Sequence, residues 1–238
     1  MNLLWYYIII NPKDFQEVFI KMSKILISTL EIIGTIAFSI SGSLLAIECN
    51  LDFFGVIVIA IITSVGGGMF RDIILGITPP TIFINPLYVS IAFYAAISIL
   101  ILYRLVENIV NNNKHPIYSN ALNLFDALGL AIFTIVGMNT AIDLGHADNI
   151  FLCVFVGVLT GVGGGMLRDI LVQRVPVILR KQVYAVASLI GGLIYYILRF
   201  YVNNELSMPI SIITVVIIRV IAMHFKYNLP TKANKKNK

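Results

Sequence analysis

The stretch SVGGGMFRDIIL, Ser64 to Leu75, returns 97 positions later as GVGGGMLRDILV, Gly161 to Val172. Each copy sets three adjacent glycines, then Met, Arg and Asp, among apolar residues. A glycine inside a helix costs about 1 kcal/mol against alanine, and an Arg or Asp in apolar surroundings costs more. A chain that carries both twice is using them. In a membrane helix, glycine either lets two helices approach closely or permits a break whose freed carbonyls face protein or water. Three in a row favour the break. The sequence therefore predicts kinks or local unwinding near mid-membrane at Gly66, Gly67 and Gly68 and again at Gly163, Gly164 and Gly165.

The rest of the chain supports a lipid setting. Of its 238 residues, 58% are hydrophobic and only 12% charged, with mean hydropathy +0.91; a soluble domain carries about 25% charged residues. The formal net charge of +5 and pI near 9.2 would raise nucleic acid as a partner in a soluble protein. Here the cations set membrane orientation, and no nucleic-acid role follows. Cys49 and Cys153 fit no metal or redox spacing and read as small apolar fillers. The sequence shows no nucleophile with a base at a recognisable spacing, no phosphate loop and no metal cluster. GVGGGM lies inside an apolar span, which argues against a dinucleotide role. No enzyme activity and no cofactor are predicted.

Seven apolar segments approach the ~20 residues that a span needs: 26–47, 53–75, 83–104, 122–142, 149–173, 181–201 and 209–226. Residues 1–24 are apolar only to Ile10, too short a run to cross a bilayer. They lack the basic start and cleavage site of a signal peptide. They read as an interfacial extension carrying Trp5, Tyr6 and Tyr7, unless translation starts at Met22. The repeat extends past the glycines. Glu31, Gly34, Phe38 and Ser39 align with Asp126, Gly129, Phe133 and Thr134 at an offset of 95, Pro79 with Pro176 at 97, and Tyr88 with Tyr184 at 96. Residues 25–105 and 121–202 are thus two copies of a three-span unit, followed by a seventh span at 208–226 and a basic tail at 227–238. An odd number of spans per copy turns the second copy upside down, the inverted-repeat plan of many transport proteins. The expected fold is an all-α membrane protein: seven transmembrane helices, as two inverted three-helix repeats plus a seventh helix.

With seven spans the termini face opposite sides. One side holds Lys13, Lys21, Lys24 and Arg199. The other holds Arg104, Lys114, Arg174, Arg180, Lys181 and the five tail lysines from Lys226 onward. This excess puts the C-terminus in the cytoplasm and the N-terminus outside a cell membrane. Arg71, Arg168 and Arg219 remain inside spans. Arg71 and Arg168 read either as structural ties to a carboxylate in the opposite half or as charges at a pore. Asp72, Asp169, Glu31 and Asp126 are the available anions, and the two-fold relation should bring both arginines toward the protomer centre with carboxylates or water between them. Arg and the Asp after it point about 100° apart on a helix, too far to share one partner. Arg219 should face the bundle rather than lipid, and His224 the interface.

The doubled GGGM-x-RD, the three-plus-three-plus-one count and the Glu31/Asp126 pair resemble the prokaryotic branch of the TRIC family, the trimeric intracellular cation channels. The same domain is also known as the glycine transporter domain of the UPF0126 membrane proteins. The resemblance covers about residues 24–226. It implies a homotrimer with one pore per protomer and none on the three-fold axis. It further implies conduction of monovalent cations, chiefly potassium, and kinks in the second and fifth helices at the two glycine triplets. Animal members bind anionic lipid at a lysine-containing motif near this place; this chain has arginines there, so lipid regulation does not carry over. A carrier of glycine or another small solute, and a structural membrane protein without transport, remain open beside the channel.

Overall fold

Inside lipid a backbone can satisfy its own polar groups only as a helix or a closed barrel. Apolar runs this long, unbroken by turn residues, choose the helix. The computed structural model describes residues 12–109, 115–180 and 183–225, with side chains over 21–105, 120–180 and 183–225. Its elements are α1 (Pro12–Glu48), α2 (Phe53–Ile74), the short α3 (Thr81–Ile84), α4 (Leu87–Ile109), α5 (His115–Ala141) with a π-helical turn at Ile142–His146, α6 (Ile150–Leu171), the short α7 (Val177–Arg180), α8 (Val183–Leu198) and α9 (Asn204–His224). No strand occurs among the described residues.

Six of these helices are long and apolar enough to cross a membrane: α1 from Lys21, α2, α4 to Leu105, α5 with its π-turn, α6 and α9. The segment expected at 181–201 yields α8, apolar but only 16 residues long. That is about 24 Å of helix against a hydrocarbon core of about 30 Å. Several boundaries differ from the sequence reading. The seventh span, expected from 208, starts earlier, because α9 begins at Asn204 and carries Pro209 inside it. The interfacial extension expected at 1–24 is, from Pro12 onward, already one helix with the first span; residues 1–11 and the tail at 227–238 lie outside the described residues.

The two copies start their second helix alike. The Asp52 carboxylate accepts from the Gly55 amide at 2.7 Å, and the Asn149 side-chain oxygen accepts from the Leu152 amide at 3.0 Å. Both are N-caps that satisfy an otherwise unpaired helix donor.

Helix directions follow from the contacts at the helix ends. Arg174, just past α6, pairs with Glu48 at the end of α1, 3.1 Å away. Val172 packs against Ala46 and Val56. α6 therefore ends where α2 begins, and the two run antiparallel. They cross at the glycine triplets. A Cβ on Gly67 would lie 2.0 Å from the Thr160 carbonyl oxygen, and one on Gly164 would lie 2.0 Å from that of Thr63. These are one pair of positions in swapped roles. The swap recurs: Gly66 meets Leu167 while Gly163 meets Phe70, and Gly34 meets Phe133 while Gly129 meets Phe38. Phe38 and Phe133 stack with ring centroids 5.3 Å apart. Each of these contacts thus recurs with the roles of the two copies exchanged.

The local unwinding expected at the triplets does not occur. α2 and α6 are α-helical without interruption through 66–68 and 163–165. The missing Cβ atoms are used for backbone-on-backbone packing instead, which leaves the helical hydrogen bonds intact. The largest apolar cluster lies in the second copy, where Met138, Val156, Tyr195, Met208 and Val215 are fully buried between α5, α6, α8 and α9.

Candidate functional site

Four residues beyond each crossing, the two arginines build matching clusters. At the first, Arg71 donates from Nε to Asp72 Oδ1 at 2.8 Å, and its Nη2 is equally close to the same oxygen. Glu31 on α1 lies 3.8 Å from Arg71 Nη1 and accepts a short hydrogen bond from the Tyr88 hydroxyl. Asp72 Oδ2 accepts from the Thr81 amide at 2.8 Å, which ties the connection after α2 back onto the helix end. At the second, Arg168 reaches Asp169 Oδ1 from Nε and Nη2, both at 2.9 Å, while Nη1 donates to Asp126 at 2.8 Å and to the Ser41 hydroxyl at 2.7 Å. Asp169 Oδ2 accepts from the Val177 amide at 2.8 Å. The Tyr184 hydroxyl and Asp126 Oδ1 both face Gly165, 3.2 and 3.5 Å from where its Cβ would stand.

All six sequence-selected charges therefore enter the two clusters, with three corrections. Each arginine pairs with a carboxylate of its own copy, not of the opposite one. Each also pairs with the Asp next to it. A guanidinium on a long stem folds back across the 100° between neighbours, which a comparison of Cβ directions cannot show. Nor do the two arginines meet. They lie past the crossing on antiparallel helices, each about 6 Å of helix rise from it on opposite sides. Like charges in a low-dielectric interior are separated by this arrangement rather than balanced across a shared centre.

Both clusters are buried, with Arg71 7% and Arg168 1% exposed. Each borders a cavity. The one at the Arg71 end is about 50 Å³ and is lined by Glu31, Ser64, Gly68, Arg71, Tyr88 and Phe133. The one at the Arg168 end is about 230 Å³ and is lined by Glu48, Asn123, Arg168, Asp169, Arg174 and Arg180. Both have charged side chains in their walls and are large enough for water. Between them lie the glycine crossing and the Phe38–Phe133 stack, with Phe133 forming part of the wall of the first cavity.

The sequence reading missed Tyr88, Tyr184 and Ser41 as cluster members. The two tyrosines were visible as a matched pair in the repeat, but nothing local says that their hydroxyls point at carboxylates. Arg219 faces the bundle as expected. It is 1% exposed, with its guanidinium carbon 4.6 Å above the centre of the Tyr184 ring. His224 is at the exposed end of α9. Most span hydroxyls bond back to a carbonyl one turn earlier, as Thr63, Thr134 and Thr160 do. Both cysteines are free; Cys153 donates to the His146 carbonyl, and burial raises the pKa of the Cys49 thiol. Among the described residues no group of His, Cys, Asp and Glu could hold a metal ion.

Known proteins share this arrangement. A family model described as Glycine transporter matches the chain twice, at residues 28–104 and 123–199, one match per copy of the repeat. The inner membrane protein YadS of Escherichia coli is 36% identical over 216 residues, covering 89% of this chain and 99% of its own. The membrane protein YvgT of Bacillus subtilis is 33% identical over 204 residues, covering 86% and 95%. Both carry the family label UPF0126. A prokaryotic TRIC channel crystallised in 0.5 M KCl superposes with TM-score 0.78 at 32% identity, covering 87% of this chain and all of that one. A structure described as the basis for conductance through TRIC cation channels superposes with TM-score 0.72 at 35% identity, covering 86% and 96%. With a family model matched across both halves, and solved channels superposing on nearly the whole described chain, this protein is a multi-pass membrane protein of the TRIC/UPF0126 family, whose repeat is described as a glycine transporter domain.

Proposed function

We propose that the chain is a potassium-conducting channel for monovalent cations, a homotrimer in which each protomer has its own path between α2 and α6. The observation that carries this reading is the pair of buried clusters flanking the glycine crossing. Counting the residues contributed by the repeat, each holds two carboxylates and one guanidinium, a formal charge of −1. One uncompensated charge about 6 Å from an ion, at an effective dielectric of about 20, is worth ~3 kcal/mol. That holds a monovalent cation briefly. Two uncompensated carboxylates would trap it, and conduction requires binding weak enough to leave. The arginine sets this balance and keeps the carboxylates apart.

In the form described here the path is closed, because the two cavities are separated by the crossing and by the phenylalanine stack. Gly66, Gly67 and Gly68 and their partners Gly163, Gly164 and Gly165 act as the gate. Backbone meets backbone there at Gly67 and Gly164, flanked by Leu167 and Phe70, and a small outward bend would join the cavities. The swapped contacts and the antiparallel α2 and α6 support two inverted three-helix repeats, with α8 as the sixth span and α9 as the seventh. The Lys and Arg excess supports a cytoplasmic C-terminus and an outside N-terminus in the cell membrane. The solved TRIC cation channels support conduction, and a channel needs no catalytic step. The name of the matched family model also admits a carrier of glycine.

Purified protein in sealed vesicles separates these. Potassium flux that collapses an imposed potassium gradient, without saturable glycine counterflow, is the expected result. Glycine counterflow without potassium flux would replace the channel with a carrier, and neither flux would leave a structural role.

A further inference from the structure

The two clusters differ by one charge, and that charge comes from outside the repeat. α9 has no counterpart in the first copy. It packs on α8 and α5 and lays Arg219 over the ring of Tyr184, the residue that faces Asp126 in the second cluster. Tyr88 occupies the matching place in the first cluster, on Glu31, with no helix after α4 in its own copy to supply such a cation. Arg219 is 99% buried, yet its Nε and Nη2 have no hydrogen-bond partner among the described residues. Buried guanidinium donors left unpaired are unfavourable, and an apolar side chain of similar volume would pack this position better. Its charge is therefore what needs an explanation.

With Arg219 included, the second cluster sums to zero: Arg168 and Arg219 against Asp126 and Asp169. The first stays at −1: Arg71 against Glu31 and Asp72. The exposed Arg174–Glu48 pair cancels itself, and Arg180 on the cavity wall adds in the same direction as Arg219. We infer that Arg219 makes the permeation path electrostatically asymmetric, so that the channel passes cations more readily when they enter from the Arg71 end. This rests on the channel reading above. A negative mouth concentrates cations and raises the current they carry inward from that side; a mouth without net negative charge does not.

The test is single-channel recording in symmetric potassium chloride, so that any rectification belongs to the protein. Wild-type openings should rectify, and Arg219→Met should move the current ratio toward one by raising the smaller limb roughly two- to fivefold, the effect of one partly screened unit charge on local cation concentration; Arg180 keeps the remaining asymmetry. Arg219→Lys should keep the wild-type asymmetry. Assembly by size exclusion should be unchanged in both variants, which a purely structural role would not allow. Rectification of the same size in Arg219→Met, or linear wild-type currents, would overturn the inference and leave the channel standing. Absence of any unitary current in wild type would overturn the channel reading, and the inference with it. If Arg219→Met does not assemble, Arg219→Gln is recorded instead; failure of both to assemble would assign Arg219 to folding and also overturn the inference.

Discussion

Gly164→Ala should abolish the folded assembly, Gly67→Ala should do the same, and Gly68→Ala should leave it intact or stabilise it. A Cβ at Gly164 would stand 2.0 Å from the Thr63 carbonyl oxygen, and one at Gly67 as close to that of Thr160. Both obstacles are helical backbone, which cannot turn aside as a side chain can. The helices would have to separate by more than 1 Å along their most intimate contact. Overpacking a core usually costs about 1–3 kcal/mol, more where backbone must move. At Gly68 the nearest atom to a new Cβ is Arg71 Nη2 at 3.9 Å, an ordinary contact. There the substitution gains up to ~1 kcal/mol of helix propensity. Thermal melting in detergent, with size exclusion to follow assembly, checks the series. If the triplets served to unwind the helix, all three alanines would behave alike, and that outcome would remove the close-packing account.

Asp126→Ala should destabilise the protein by about 1.5–3 kcal/mol, the worth of a hydrogen bond between charged groups, since Arg168 keeps Asp169 as its partner. The geometry at Arg168 is tight. Asp126 is 2.8 Å from Nη1, and the side chains are 1% and 3% exposed. Arg168→Met added to Asp126→Ala should deepen the loss, because the buried Asp169 carboxylate then loses the guanidinium that pairs with it. Glu31→Ala should cost distinctly less. Its carboxylate is 3.8 Å from Arg71 and its side chain 21% exposed, so water can take its place. Melting of the two single variants and the double gives the comparison. Equal losses for Asp126→Ala and Glu31→Ala, or recovery of stability in the double variant, would contradict the assigned pairing.

The repeat was legible because it is written as identity: glycines, arginines and aspartates at fixed offsets, with Phe38 and Phe133 and the two tyrosines beside them. Hydropathy marked the membrane helices for the same reason, since each span must be apolar along its length. The position of Arg219 was legible because a buried charge has so few tolerable places. What the triplets do was not. A run of glycines permits both unwinding and close packing, and the choice depends on whether a second backbone arrives opposite. That partner, Thr63 for Gly164 or Thr160 for Gly67, lies in the other copy, 101 or 93 positions away. The pairing of Arg71 with Asp72 was hidden by the length of the arginine stem. The hold of Asp72 on Thr81 and of Asp169 on Val177 was hidden in loop geometry that hydropathy does not record. The start of α9 ahead of Pro209 was missed because Asn, Glu and Ser read as loop, although a helix end can hold all three in polar surroundings.

The central claim is that a cation path runs through each protomer between α2 and α6. Planar-bilayer recording of the purified protein across a potassium chloride gradient tests it most directly. The account predicts unitary currents that reverse near the potassium equilibrium potential. Currents that reverse at the chloride potential, or a bilayer that stays silent with correctly assembled protein, would contradict it.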